Sequence, residues 1–88
     1  MMHEMPKSYL PDAEREGLTQ NEIYLAESQA ADEAGDDAAS WAWLRYANLP
    51  AYALMTMKRN LGADFVRKMN FLCIDEANRV YGENWLDA

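Results

Sequence analysis

From residue 18 onwards, hydrophobic residues recur at intervals of three and four, the spacing of one helix face. No segment alternates apolar and polar residues in the manner of a strand. The pattern therefore predicts an all-α fold, a compact bundle of about four short helices with starts near Thr19, Asp36, Pro50 and Asp64. Residues 1–18 lack a sustained period and are predicted to form an irregular arm, with residues 19–88 as a single helical domain.

The first predicted helix covers residues 20–34. Thr19 and Glu22 have the spacing of a capping box, in which each side chain satisfies a backbone amide of the first turn. Ala26 and Ala30 fall on its apolar face, where their small side chains would let a second helix approach closely. Gly35 suits the left-handed conformation that follows many helices.

The second predicted helix covers residues 37–48, with Asp36 or Asp37 as its cap. Trp41 shares a face with leucine and alanine positions and is the better candidate for the core. Trp43 lies off that face, so it is partly exposed, buried by a partner protein, or covered by the arm or tail of this chain.

The second half of the chain predicts two further helices, over residues 50–61 and 65–81, with Asp64 as the cap of the latter. The apolar stripe of the last helix includes Cys73, which we expect to be buried and slow to react with thiol reagents. The tail that follows contains Trp85 and is expected to fold back onto the helices. Earlier in the chain, Tyr9 and Leu10 are the residues expected to attach the arm to the core.

The charge of the chain is uneven. The net charge is −7, and residues 1–44 hold ten of the fifteen acidic residues but only two of the eight basic ones. Such a balance argues against direct binding to a phosphate backbone. A field concentrated on one half of a protein can instead attract a cationic partner.

The densest acidic stretch, DEAGDDAASWAW, runs directly into two tryptophans at residues 32–43. Asp36 and Asp37 have a structural role available at a helix N-terminus, whereas Asp32 and Glu33 lie at the unfavourable end of the preceding helix dipole. We therefore predict a surface that binds a protein partner with a basic face. Its candidate residues are Glu22, Glu27, Asp32, Glu33, Asp36, Asp37, Trp43 and Tyr46.

No pattern in the chain indicates catalysis or metal binding. The acidic stretch lacks the alternating ligands and closing glutamate of a calcium loop. His3 is the sole histidine and Cys73 the sole cysteine, so neither a zinc ligand set nor a paired nucleophile is expected. The sequence predicts a protein that is not an enzyme and has no cofactor.

One basic patch offers a different interpretation. Lys58, Arg59, Arg67 and Lys68 flank the turn at Gly62, which in outline resembles a helix-turn-helix DNA-binding arrangement. The match is poor in detail, because Lys58 stands where a small residue is usual and the chain as a whole is acidic.

These patterns lead to three functional hypotheses. The first is a small acidic binding protein that occupies a partner's surface, in its sharpest form an inhibitor of the anti-CRISPR or anti-restriction type whose carboxylates mimic nucleic acid. The second is a homodimeric structural or accessory subunit, and the third is a small DNA-binding regulator. No segment is apolar for long enough to span a membrane, and a cytoplasmic location is expected.

Overall fold

The computed structural model describes residues 5–88, and this part of the chain contains helices but no strand. The all-α prediction is confirmed, although residues 5–88 form six helices rather than about four. One short helix lies among the residues predicted to be irregular, and the last predicted helix is split. His3 lies outside the described residues. The helices are α1 (Asp12–Arg15), α2 (Gln20–Glu33), α3 (Asp37–Leu44), α4 (Ala51–Leu61), α5 (Ala63–Met69) and α6 (Ile74–Tyr81).

Packing divides the chain into two units, Met1–Ala47 and Asn48–Ala88. The first contains α1 to α3 and the second contains α4 to α6. The predicted single domain over residues 19–88 stays a prediction. Within the described residues, every helix is too short or too polar to cross a membrane.

The start of α2 is fixed by the predicted capping box, which is confirmed. The Thr19 hydroxyl accepts a hydrogen bond from the Glu22 amide at 3.1 Å, and the Thr19 amide donates to the Glu22 carboxylate at 2.9 Å. The helix ends at Glu33, and Gly35 follows with φ of 81°. That left-handed value reverses the chain at low cost because glycine has no Cβ.

The reversal brings α3 back against α2 through small side chains. The hydroxyl of Ser28 donates to the Ser40 carbonyl at 2.8 Å, and the hydroxyl of Ser40 donates to the Ser28 carbonyl at 2.8 Å. Ala31 and Ala39 are buried beside them. The prediction that α2 would pack through Ala26 and Ala30 is wrong, since its buried residues are Glu27, Ser28 and Ala31.

The core position in α3 belongs to Trp43 rather than Trp41. Trp43 is 4% exposed, whereas Trp41 is half-buried. The buried positions Ala39, Trp43 and Ala47 are four residues apart, so they share one side. The prediction of Trp41 as the better core candidate is wrong. The helix itself ends at Leu44, four residues before the predicted end.

In the second unit, α4 begins directly after Pro50 and ends before Gly62, whose φ is 95°. Leu54 is its fully buried residue. The next helix starts at Ala63 with Gly62 at the cap position, so Asp64 lies in the first turn and makes no capping hydrogen bond. The prediction that Asp64 caps this helix is wrong, because the helix starts one residue before Asp64.

The predicted helix over residues 65–81 is interrupted. Asn70 adopts a left-handed conformation, with φ of 52°, and ends α5. The break turns Phe71 inward, to 1% exposure, and leaves Leu72 at 58% and Val80 at 52%. Cys73 precedes α6 and is half-buried, so its predicted place on a continuous buried stripe is wrong.

The tail folds back within the second unit, as predicted. Trp85 is 4% exposed, and its indole N–H donates to the Asn78 side-chain oxygen at 2.8 Å. The ammonium of Lys58 donates to the carbonyls of Trp85 and Ala88, at 2.5 and 2.8 Å. These bonds attach the tail to the last turn of α4.

The capping box gives a first testable prediction. Thr19→Ala should lower the free energy of unfolding by about 1 kcal/mol, because the Glu22 amide loses its acceptor. Thr56→Ala is the control, since the Thr56 hydroxyl donates to the Tyr52 carbonyl in mid-helix and caps nothing. Urea unfolding of both variants measures the difference, and equal stability of the two would contradict the assigned role.

The break at Asn70 gives a second prediction. Asn70→Ala should be less stable than Asn70→Gly by about 1 kcal/mol, because a Cβ disfavours the left-handed conformation. At Asn60, the penultimate residue of α4, the order should reverse, since alanine favours a helix over glycine by up to about 1 kcal/mol. Thermal unfolding of the four variants measures the sign of the alanine–glycine stability difference at each site. If alanine were more stable than glycine at both sites, residue 70 would not be left-handed.

Candidate functional site

The six acidic residues predicted for the partner-binding surface fall into two groups. Glu22, Glu27 and Asp36 accept hydrogen bonds that hold the fold together. Asp32, Glu33 and Asp37 are exposed around the turn between α2 and α3, and we call these three the acidic corner. The sequence could not separate the groups, because the partners of Glu27 lie far away along the chain.

Glu27 is fully buried, which removes it from any exposed acidic surface. Its carboxylate accepts from the backbone amides of Tyr9 and Leu10, at 2.7 and 2.9 Å, and from the Ser8 hydroxyl. The Arg15 guanidinium forms an ion pair with it. One carboxylate therefore binds the N-terminal arm, residues 5–11, and α1 to the middle of α2.

The pKa of Glu27 reflects two opposed effects. Burial raises the pKa of a carboxyl group, but the hydrogen bonds from Ser8, Tyr9 and Leu10, with the charge of Arg15, outweigh burial and lower it. The folded protein therefore holds Glu27 ionised.

Asp36 also has a structural task. Its carboxylate accepts from the Ala39 amide at 3.0 Å, which caps α3, and from the Tyr9 hydroxyl at 2.5 Å. The bond from Tyr9 lowers the pKa of Asp36, with a further contribution from the Ala39 amide, and raises the pKa of the Tyr9 hydroxyl. Two predictions are therefore confirmed at one carboxylate: Asp36 caps α3, and Tyr9 attaches the arm.

Glu22 is exposed, yet its carboxylate belongs to the capping box. The hydrogen bond from the Thr19 backbone lowers the pKa of Glu22. This group is therefore engaged at the start of α2, although it faces solvent.

The acidic corner is the part of the predicted surface that remains available. Among the described residues, no lysine or arginine forms an ion pair with its three members. Glu33 accepts a 3.3 Å hydrogen bond from the Gln29 side chain. Asp32 and Glu33 occupy the last turn of α2, which contains no basic residue to offset the helix dipole.

The aromatic candidates are placed differently from one another. The indole N–H of Trp43 donates to the Lys7 carbonyl at 2.9 Å, so the arm of this chain covers it. Tyr46 is half-buried, with its ring centre 5.6 Å from that of Tyr24 and 5.5 Å from the Arg45 guanidinium carbon. Trp43 is thus core, and Tyr46 keeps partial access to solvent.

A groove lies between the arm and α2, and we call it the arm groove. Its volume is about 530 Å³, and its lining includes Leu10, Glu14, Ala26, Ala30 and Glu33. This groove was not among the predicted features. The alanines at 26, 30 and 34, which the sequence pattern assigns to a helix contact, line the groove instead.

The basic patch of the second unit is partly occupied by internal contacts. Lys58 donates to tail carbonyls, and Arg67 forms ion pairs with Asp64 and Asp87. Arg59 and Lys68 are exposed. The helix after the turn, α5, has only seven residues.

No group of three or more histidine, cysteine or acidic side chains is arranged to hold a metal ion within residues 5–88. The chain matches no family model, no curated protein and no solved structure. Its candidate site is therefore defined by its own residues, namely the acidic corner and the arm groove.

The buried carboxylate gives a third prediction. Glu27→Gln should cost about 3 kcal/mol of stability at neutral pH, because Arg15 loses its partner and an amide nitrogen faces hydrogen-bond donors. Since the folded pKa is lowered, the contribution of Glu27 is present above the unfolded value of about 4.3 and is lost as pH falls below it. The variant should therefore show a weaker loss of stability between neutral and acid pH.

Denaturant unfolding from neutral to acid pH measures both effects. Glu33→Gln is the control, because it makes the same chemical change at an exposed position of the same helix. Equal stability of the two variants at neutral pH would show that Glu27 does not hold the arm.

Proposed function

We propose that this protein is a non-enzymatic binding protein that occupies a basic surface of a partner protein. The observation that carries the proposal is the acidic corner, three exposed carboxylates without an ion pair among the described residues. Charges presented in this way accelerate encounter with an oppositely charged surface.

The hydrogen bonds around the corner support the proposal. Gly35 and the Asp36 cap fix the turn between α2 and α3, and the reciprocal bonds between Ser28 and Ser40 hold the two helices together. The backbone of a preformed turn loses little conformational freedom when a partner binds. In the sharpest form of the proposal, the partner's surface is one that otherwise binds nucleic acid, and the protein acts as an inhibitor of the anti-CRISPR or anti-restriction type.

A homodimeric accessory subunit is the alternative with an observation in its favour. Among the described residues, most of the exposed large apolar side chains belong to the second unit. They are Tyr52, Leu61, Leu72, Val80 and Tyr81. Light scattering over a range of concentrations separates this alternative from a monomeric binding protein.

The neutralisation of the corner gives a fourth prediction. The partner is first recovered by cross-linking. The double variant Asp32→Asn with Asp37→Asn should then associate with it about tenfold more slowly at low salt, and the difference should be smaller at high salt. The free energy of unfolding should change little. The charge of Asp32 is unfavourable at the C-terminal end of α2, the charge of Asp37 is favourable at the N-terminal end of α3, and removing both lets the two effects offset each other. Stopped-flow binding and thermal unfolding measure the two quantities.

Asp36→Ala is the structural control. It should lower the free energy of unfolding by about 2 kcal/mol, because the cap of α3 and the hydrogen bond from the Tyr9 hydroxyl are both lost. An association rate that the double variant leaves unchanged would remove the corner from the interface. Competition between the protein and nucleic acid for the recovered partner tests the inhibitor form directly.

A further inference from the structure

The arm groove has walls of different origin. Leu10 and Pro11 of the arm and Glu14 of α1 line it on one side, while α2 lines it with Ala26, Ala30 and Glu33. Its volume of about 530 Å³ falls in the range of roughly 300–1,000 Å³ found for binding pockets. It lies within the first unit, and the bonds from the arm to Glu27 keep its two walls in place.

The charged residues that line the groove are of one sign. Glu14 comes from α1 and Glu33 from α2, and no lysine or arginine is among the lining residues. Arg15, next to Glu14 in sequence, is committed to the buried carboxylate of Glu27. A cationic group entering the groove would therefore meet two carboxylates and no competing cation from its walls.

The α2 wall leaves room for an aliphatic stem. Ala26 and Ala30 are four residues apart on one helix face, and both are half-buried with side chains that end at Cβ. Long basic side chains bury their methylene stems on such apolar surface while the charged head stays with polar groups. The groove thus combines a surface for the stem with carboxylates for the head.

We propose that the arm groove binds an arginine side chain presented by a basic segment of the partner protein. The planar guanidinium has five N–H donors in a fixed arrangement, which suits carboxylates contributed by two different walls better than the point charge of an ammonium. This proposal rests on the proposed function and adds the partner's chemistry to it. The acidic corner supplies the rate of encounter, and the groove supplies the contacts that retain the partner.

The experiment uses the full chain and a fluorescently labelled peptide that carries two arginines separated by a glycine. The same peptide with citrulline in place of both arginines keeps the shape and removes the charge, and a lysine version keeps the charge and changes its geometry. Fluorescence anisotropy measures the dissociation constants. Thermal unfolding of each variant confirms that it is folded.

Two pairs of substitutions change the net charge equally. Glu14→Gln with Glu33→Gln should weaken arginine-peptide binding by about tenfold, because charged hydrogen-bonding partners are lost. Asp32 and Asp37 are not among the groove-lining residues. Asp32→Asn with Asp37→Asn should therefore weaken arginine-peptide binding by at most about twofold, through the loss of long-range attraction. Ala30→Leu leaves the charge unchanged, keeps a strong helix former and fills the groove, so it should weaken binding as much as the first pair.

Several outcomes would overturn the groove assignment: absence of arginine-peptide binding, equal effects of the two charge pairs, or an unaffected Ala30→Leu variant. Equal affinity for the lysine or citrulline peptide would overturn the choice of arginine. None of these results decides the proposed function, which fails if neutralising Asp32 and Asp37 leaves association with the recovered partner unchanged. The two failures are therefore distinguishable.

Discussion

The first unit depends on one buried carboxylate. Glu27 is inaccessible to solvent, and a charge in that position is tolerated only when hydrogen bonds and an opposite charge replace its water. The arm and α1 supply all of these, through Ser8, two backbone amides and Arg15. Once the arm is bound there, its Lys7 carbonyl meets the indole of Trp43, and its next residues form one wall of the arm groove.

The features that could be predicted from the sequence are those set by neighbouring residues. Thr19 and Glu22 accept hydrogen bonds from backbone amides within one helical turn, and Asp36 caps the helix that follows it. Gly35 reverses the chain by adopting a positive φ. Each depends on chemistry within about four residues, which a sequence pattern records directly. The all-helical fold and the position of the acidic corner follow from the same local signals.

The features that could not be predicted depend on residues far apart in the chain. The partner of Trp43 is 36 positions away, and those of Glu27 are 12 to 19 positions away. A buried glutamate and an exposed one look alike in a sequence until the arm is placed. The break at Asn70 was missed for another reason, because the apolar spacing continues through it while the backbone turns left-handed.

The shared carboxylate of Asp36 makes the arm and α3 cooperative. One of its oxygens accepts from the Ala39 amide and the other from the Tyr9 hydroxyl. The arm also reaches α3 through the Lys7 carbonyl, which accepts from the Trp43 indole. Release of the arm would therefore remove one contact at the first turn of α3 and another near its end. The same release would uncover the indole of Trp43, so local opening of this segment would propagate into the interior of the unit instead of remaining at its edge.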